Sequence, residues 1–367
     1  MSENLKYQIA LSLIPNIGDI LAKRLVAYCG SPEAVFKEKK TALEKVPGIG
    51  AAYADSVIKV NDSVFKRAEE EISFIEKNNI TPLFYLDKNY PKRLTYCEDS
   101  PVMLYFKGNT DLNTQKQISI VGTREPTDYG KKVCEKLITD LATYNVTIVS
   151  GLAYGIDICA HKAALENKLP TVCVLAHGLN KIYPSVHQQT AQKMLEQGGW
   201  LTDFMSNTNP DKENFPKRNR IVAGIADATI VVESKKSGGS LITADIANSY
   251  NRDVFAFPGR VDDICSEGCN AIIKQNKAAL IQSAADLIYI MGWEQTSVKA
   301  NVQKQLFVEL KPEEEQLVNV LKEKEQINID DICLISKMPM SKVSSLLLSL
   351  EFSGIIKSLP GKMYRLN

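Results

Sequence analysis

The chain has 367 residues, 44% of them hydrophobic and 24% charged, with 44 Lys and Arg against 43 Asp and Glu. That length exceeds one ordinary core and suits two or three domains, and the composition excludes disorder over most of the chain. A formal net charge of +1 excludes a uniformly basic surface, so any affinity for nucleic acid must come from a local cluster of Lys and Arg.

The opening MSENLKYQIALSL lacks the basic segment and small-residue cleavage site of a signal peptide. No apolar run approaches the roughly 18 residues of a membrane span, so a soluble, cytoplasmic protein with no membrane association is expected. Cys29, Cys97, Cys134, Cys159, Cys173, Cys265, Cys269 and Cys333 are scattered. Only Cys265 and Cys269 are close, and no second pair or histidine cluster follows at zinc spacing. They are read as structural thiols, and neither a metal nor a cofactor is expected.

Residues 1–78 read as short helices joined by glycine turns. Pro15-Asn16-Ile17-Gly18 precedes DILAKRLVAY, and Pro47-Gly48-Ile49-Gly50 precedes AAYADSVIKV, a helix-hairpin-helix unit present twice. Such turns either offer free N–H groups to phosphate or only pack small helices together. Residues 79–114 form a connector rich in Tyr, Pro and Leu, too apolar for a flexible linker and expected to pack on the next domain as short extended pieces.

From about 115 the pattern becomes strand, loop, helix, repeated. ISIVG (118–122), VTIVSG (146–151), TVCVLAHG (171–178), WLTDF (200–204), ATIVVES (228–234) and DVFAFPG (253–259) are the strands. Continuous β-branched runs alternating with helices imply a parallel, doubly wound, Rossmann-like α/β sheet buried on both faces, spanning 79–295 with its connector. Ser283 to Asp286 resembles a capping box. A polar linker (296–311) leads to helices opening at Pro312 and near 329–337 and 341–352, then a hairpin turning at Pro360-Gly361. That is a winged-helix domain over 312–367, suited equally to protein contact and to DNA.

In an open parallel sheet, ligands bind beyond the carboxyl ends of the strands. Gly122-Thr123-Arg124, Ser150-Gly151, His177-Gly178 and Gly238-Gly239-Ser240 would line that edge as a phosphate-binding rim of backbone N–H groups and helix starts. Neither G-x-G-x-x-G nor a Walker lysine loop is present, so a dinucleotide cofactor and ATP hydrolysis are not indicated. Positive charge collects in Asn214-Phe215-Pro216-Lys217-Arg218-Asn219-Arg220. With Pro216 at the first helical position, Lys217, Arg218 and Arg220 would neutralise phosphates and Phe215 would stack on a base. Arg124 would stand on the rim with a fork suited to phosphate. Acid–base groups are thin. His161 and Asp157 fall within a helix, and His177 has no orienting carboxylate nearby in sequence.

The stretches YPKRL, SPVMLYFKG, SIVGTREPTDYG, IVSGLAYGID, VLAHGL, FPKRNRIVAGIA, SGGSLITA and FAFPG, in this order, resemble the DprA/Smf family of bacterial DNA-processing proteins. The resemblance implies a non-catalytic, homodimeric protein that binds single-stranded DNA cooperatively, protects the incoming strand and loads a RecA-type recombinase on it during transformation. It places the strand in a pocket lined by Arg124, Phe215, Lys217, Arg218 and Arg220, with backbone from Gly238 to Ser240. The alternative is a phosphoribohydrolase-like enzyme on a similar sheet with Asp245 as its acid.

Overall fold

The apolar runs of the sequence become strands in the computed structural model, which describes residues 2–294 and 310–367. The expected linker, 296–311, therefore lies almost wholly outside the described residues. Contact density divides the chain into two units, Met1–Leu280 and Ile281–Asn367.

The first unit carries one nine-stranded sheet: β1 (Thr81–Phe84), β2 (Met103–Gly108), β3 (Gln117–Val121), β4 (Thr147–Ser150), β5 (Thr171–Val174), β6 (Gly198–Thr202), β7 (Ala228–Val231), β8 (Asp253–Ala256) and β9 (Ala279–Leu280). Their order is β1-β2-β6-β5-β4-β3-β7-β8-β9. Strands β3 to β7 are buried throughout, as continuous apolar runs require. The chain moves outward from β3 to β6, then crosses back to place β7 on the other flank of β3. The gap between β3 and β7 is thus the topological switch point of a doubly wound fold.

Two features go beyond the sequence reading. The connector does more than pack on the sheet: β1 and β2 extend it, antiparallel to each other and, through β2, to β6. The N-terminal helices (Ser2–Ser12 to Asp62–Lys77) also share a core with that end of the sheet. One apolar cluster runs from Ile9, Leu25 and Ile72 to Phe84, Met103 and Trp200. The two glycine turns are equivalent: Asn16 (φ 62°) and Gly48 (φ 83°) hold the same left-handed position, and Gly18 and Gly50 are extended N-caps. At the first turn, Asp19 accepts from Val102 N–H at 2.8 Å and meets Arg220 at 2.9 Å. That helix start is used for packing within the protein.

In the second unit, Ser283 and Asp286 close the expected capping box on the helix Ala284–Ile290. Helices Pro312–Lys322, Ile329–Ser336 and Met340–Phe352 pack around Leu317, Ile332, Val343 and Leu347. Strands β10 (Ile327–Asn328), β11 (Ile356–Leu359) and β12 (Met363–Leu366) form an antiparallel sheet in the order β10-β12-β11. Three helices with a hairpin turning at Pro360-Gly361 constitute a winged helix. No helix among the described residues is long and apolar enough to cross a membrane.

Candidate nucleic-acid interface

At the switch point between β3 and β7 a cleft of about 310 Å³ opens. Three loops and one helix face build it. The loop after β3 supplies Gly122, Thr123 and Arg124, the loop after β4 supplies Gly151, and the loop after β7 supplies Lys235 and Gly238 to Ser240. The helix Asn214–Ile225 supplies Phe215, Arg218, Asn219 and Val222. Those four positions follow the i, i+3, i+4, i+7 spacing of a single helical face.

Arg124 is exposed, and its guanidinium carbon lies 5.6 Å from the centre of the Phe215 ring. A cation over an aromatic face at this distance is worth about 0.5–1 kcal/mol at an exposed site, and it places charge and stacking surface side by side. The Tyr183 ring stands 6.2 Å from that of Phe215, tilted at 55°.

The loops are locked together from below. The Ile156 and Thr123 backbones bond at 3.1 Å, and Gly155 at φ 81° packs so closely that a Cβ there would come within 2.2 Å of Thr123 O. Only glycine meets both demands. Glu233, buried, accepts from Thr127 N–H at 2.9 Å and from Thr127 Oγ1 at 2.5 Å. It satisfies the start of the helix Asp128–Leu141 and fixes the exit of the Arg124 loop. By contrast, the helix Gly239–Ser249 has no side-chain cap, and its first residue, Gly239, faces open space. Unsatisfied N–H groups at a helix start are an anion site.

Arg218 forms the cleft floor. It is 4% exposed, and its Nη1 donates to Val174 O at 2.6 Å. Its guanidinium lies so near Gly151 that a Cβ there would stand 1.9 Å away. Burial lowers the proton affinity of Arg218 and Asp157 opposes that shift; the guanidinium still keeps its charge. Burial raises the Asp157 carboxyl, opposed by Arg218, and its Oδ2 accepts from Gly151 and Ala153 N–H at 3.1 and 3.3 Å. The lining of the cleft thus sets Arg124, Arg218 and Lys235 against one carboxylate, Asp157, with Lys235 also paired to the exposed Glu125 of the neighbouring loop at 3.0 Å.

Of the twelve residues singled out in the sequence, nine line this cleft and three do not. Ser150 is fully buried, donating to Ile120 O at 2.6 Å, because its side chain falls on the core side of the strand end. Lys217 is exposed on the flank of the helix. Arg220 is committed elsewhere: it pairs with Asp19 and Asp203 at 2.9 Å each and donates to Asp99 O. Burial opposes its charge, yet Asp203 and Asp19 more than offset this and raise its pKa. The helix begins at Asn214 and not at Pro216, so the basic run lies beyond the first turn. The His177-Gly178 loop also stays out of the cleft; His177 donates through Nδ1 to Gly178 O and accepts from Tyr183 N–H at Nε2. Lys235 and Tyr183 were missed, although the Lys235-Lys236 pair before Ser237-Gly238-Gly239 was a visible signal for the first, and Asp157, read from the sequence only as a helical residue, lines the cleft.

Of the acid–base groups weighed for an enzymatic alternative, Asp157 lines the cleft, while Asp245 and His161 are engaged outside it. Asp245 pairs with Lys277 at 2.8 Å, and His161, buried, bonds Thr171 Oγ1 at 2.8 Å. No cluster of potential metal ligands occurs among the described residues.

Fold and cleft define a doubly wound α/β protein with a crevice lined by Arg124, Arg218 and Lys235 at its switch point and an appended winged helix. Residues 81–292 match the family model for DNA recombination-mediator protein A, and 305–362 that for the DprA winged helix domain. The chain belongs to the DprA/Smf family of DNA-processing proteins. It is 32% identical to Protein Smf of Synechocystis sp. over 98% of both chains, and 40% identical to DNA processing protein DprA of Streptococcus pneumoniae over 55% of this chain and 71% of that one. The S. pneumoniae DprA structure matches at a TM-score of 0.63 and 32% identity, covering 77% of this chain and 96% of that one. A Helicobacter pylori structure, described as giving the single-stranded DNA binding mode of DNA processing protein A, matches at 0.52 and 31%, covering 57% and 94%.

Proposed function

We propose that this protein binds single-stranded DNA in the switch-point cleft and passes the strand to a RecA-type recombinase during DNA uptake. One observation carries the reading: the Arg124 guanidinium over the Phe215 ring, in a cleft whose helix start at Gly239 is uncapped. A phosphate would sit against Arg124 and the Gly239–Ser240 N–H groups, and an unstacked base against Phe215. Bases inside a duplex are stacked on one another and cannot reach that ring, which favours a single strand. The single-stranded DNA named for the H. pylori relative and the recombination-mediator family agree with this chemistry. Cooperative binding, protection of the strand, a homodimer formed through the sheet domain and action in the cytoplasm belong to the same proposal. So does the absence of catalysis.

An anisotropy titration with oligo-dT tests it. The wild type is expected to bind below micromolar and to lose affinity linearly in log salt as counterions are released. Phe215→Ala should cost about 1–3 kcal/mol, and Arg124→Ala should weaken binding and reduce the salt slope by about one. Binding of both variants equal to wild type would refute the site. Reversing Arg218 is not a usable probe, because it would bury an unpaired carboxylate beside Asp157.

A further inference from the structure

Arg124 is a shared wall. Beyond it lies a second depression of about 410 Å³, bordered by Arg124, Lys131, Tyr154, Lys162, Glu135 and Glu166. Resting on the reading of the first cleft, we propose that this depression is the onward track of the same single strand, with Tyr154 stacking on its next ordered base.

Three observations carry this. The depressions adjoin at Arg124, which lines both, and Gly155 of the second is packed on the Thr123–Arg124 backbone of the first. Tyr154 is 49% exposed yet held: its ring meets His187 edge to face, centroids 5.1 Å apart at 65°. His187 is buried and fixed to Leu152 O at 2.9 Å. An exposed aromatic ring with its position already set loses little freedom when a base stacks on it.

Third, the cations are available. Among the described residues, Lys131 pairs only with the highly exposed Asp128 at 3.3 Å, a pair of little worth in solvent, and Lys162 makes no ion pair. Glu135 and Glu166 leave three cations against two carboxylates here, where the first cleft has three against one. Stacking must therefore carry more of the affinity in this depression, and charge less.

Oligo-dT of about 4 and about 12 nucleotides, spanning typical site sizes, separates the two clefts. Tyr154→Ala is expected to weaken the longer strand about 5- to 100-fold with an unchanged salt slope, to leave the shorter strand unaffected, and to be rescued by Tyr154→Phe. Arg124→Ala should weaken both. Wild-type affinity of Tyr154→Ala for the longer strand, with Arg124→Ala impaired, would overturn the track and spare the first cleft. Equal loss on both lengths would also overturn it, as a disturbed first cleft. Wild-type binding by Arg124→Ala on both lengths would instead sink the reading beneath it.

Discussion

Single side chains in this protein are constrained by what they must avoid as much as by what they bind. Gly151 has no left-handed backbone requirement; it is glycine because the Arg218 guanidinium occupies the space of a Cβ. Gly151→Ala would drive that guanidinium off Val174 O, at a cost of about 1–3 kcal/mol for overpacking. A lower urea midpoint together with weaker oligo-dT binding is the expected outcome. His161 gives a pH dependence. Burial, its largest cause, pushes its pKa down to about 3, while the unfolded side chain titrates near 6.5. Between those values the unfolded chain holds the extra proton, so stability falls as pH drops below about 6.5 and goes on falling to about 3. From pH 8 to pH 5 the loss should be about 2 kcal/mol. Urea titrations at both pH values should show a smaller loss for His161→Asn, the difference between the proteins isolating this one imidazole.

At the scale of elements, the uncapped helix Gly239–Ser249 exposes a conflict between stability and binding. Gly239 opens it with nothing within reach of a Cβ. Gly239→Asp would place a carboxylate at the positive end of the helix dipole, stabilising by about 0.3–1 kcal/mol, and would occupy the place proposed for a phosphate. A raised melting temperature with oligo-dT affinity at least tenfold lower is expected; unchanged affinity would remove this helix start from the site. The elements themselves were legible, because buried parallel strands write themselves as continuous apolar runs and their loops as glycine. Which basic residues face the cleft was less so. Lys217, Arg218 and Arg220 look alike as a run, but helical phase sends Arg218 to the floor with Phe215 and turns Arg220 toward Asp19 and Asp203. Those acids lie 201 and 17 positions away in sequence, a pairing no local pattern announces. The antiparallel edge strands were obscured in the same way, since short segments of mixed character become strands only by the partner they find.

For the whole molecule, the shared core fixes what can be removed. The N-terminal helices cover Phe84, Met103 and Trp200, and each large apolar side chain returned to water costs about 1.5–3 kcal/mol. A chain beginning at residue 79 is expected to aggregate. One ending at Glu294 keeps the unit Met1–Leu280 and should remain monodisperse by light scattering, with oligo-dT bound at the cleft. Soluble, folded protein from the first truncation would show that the helices are an independent appendage.

The segment Asn214–Ile225 serves two masters at different angles: one side walls the crevice, another anchors the N-terminal helices through Arg220. Adding or deleting a single residue between Phe215 and Arg220 would swing everything after it by about 100°. Phe215 at the crevice and Arg220 at its anchor could not both be regained by any sliding of the helix. The spacing of FPKRNR is therefore a mechanical dimension of the protein, and changes of length there should be tolerated far less than changes of residue.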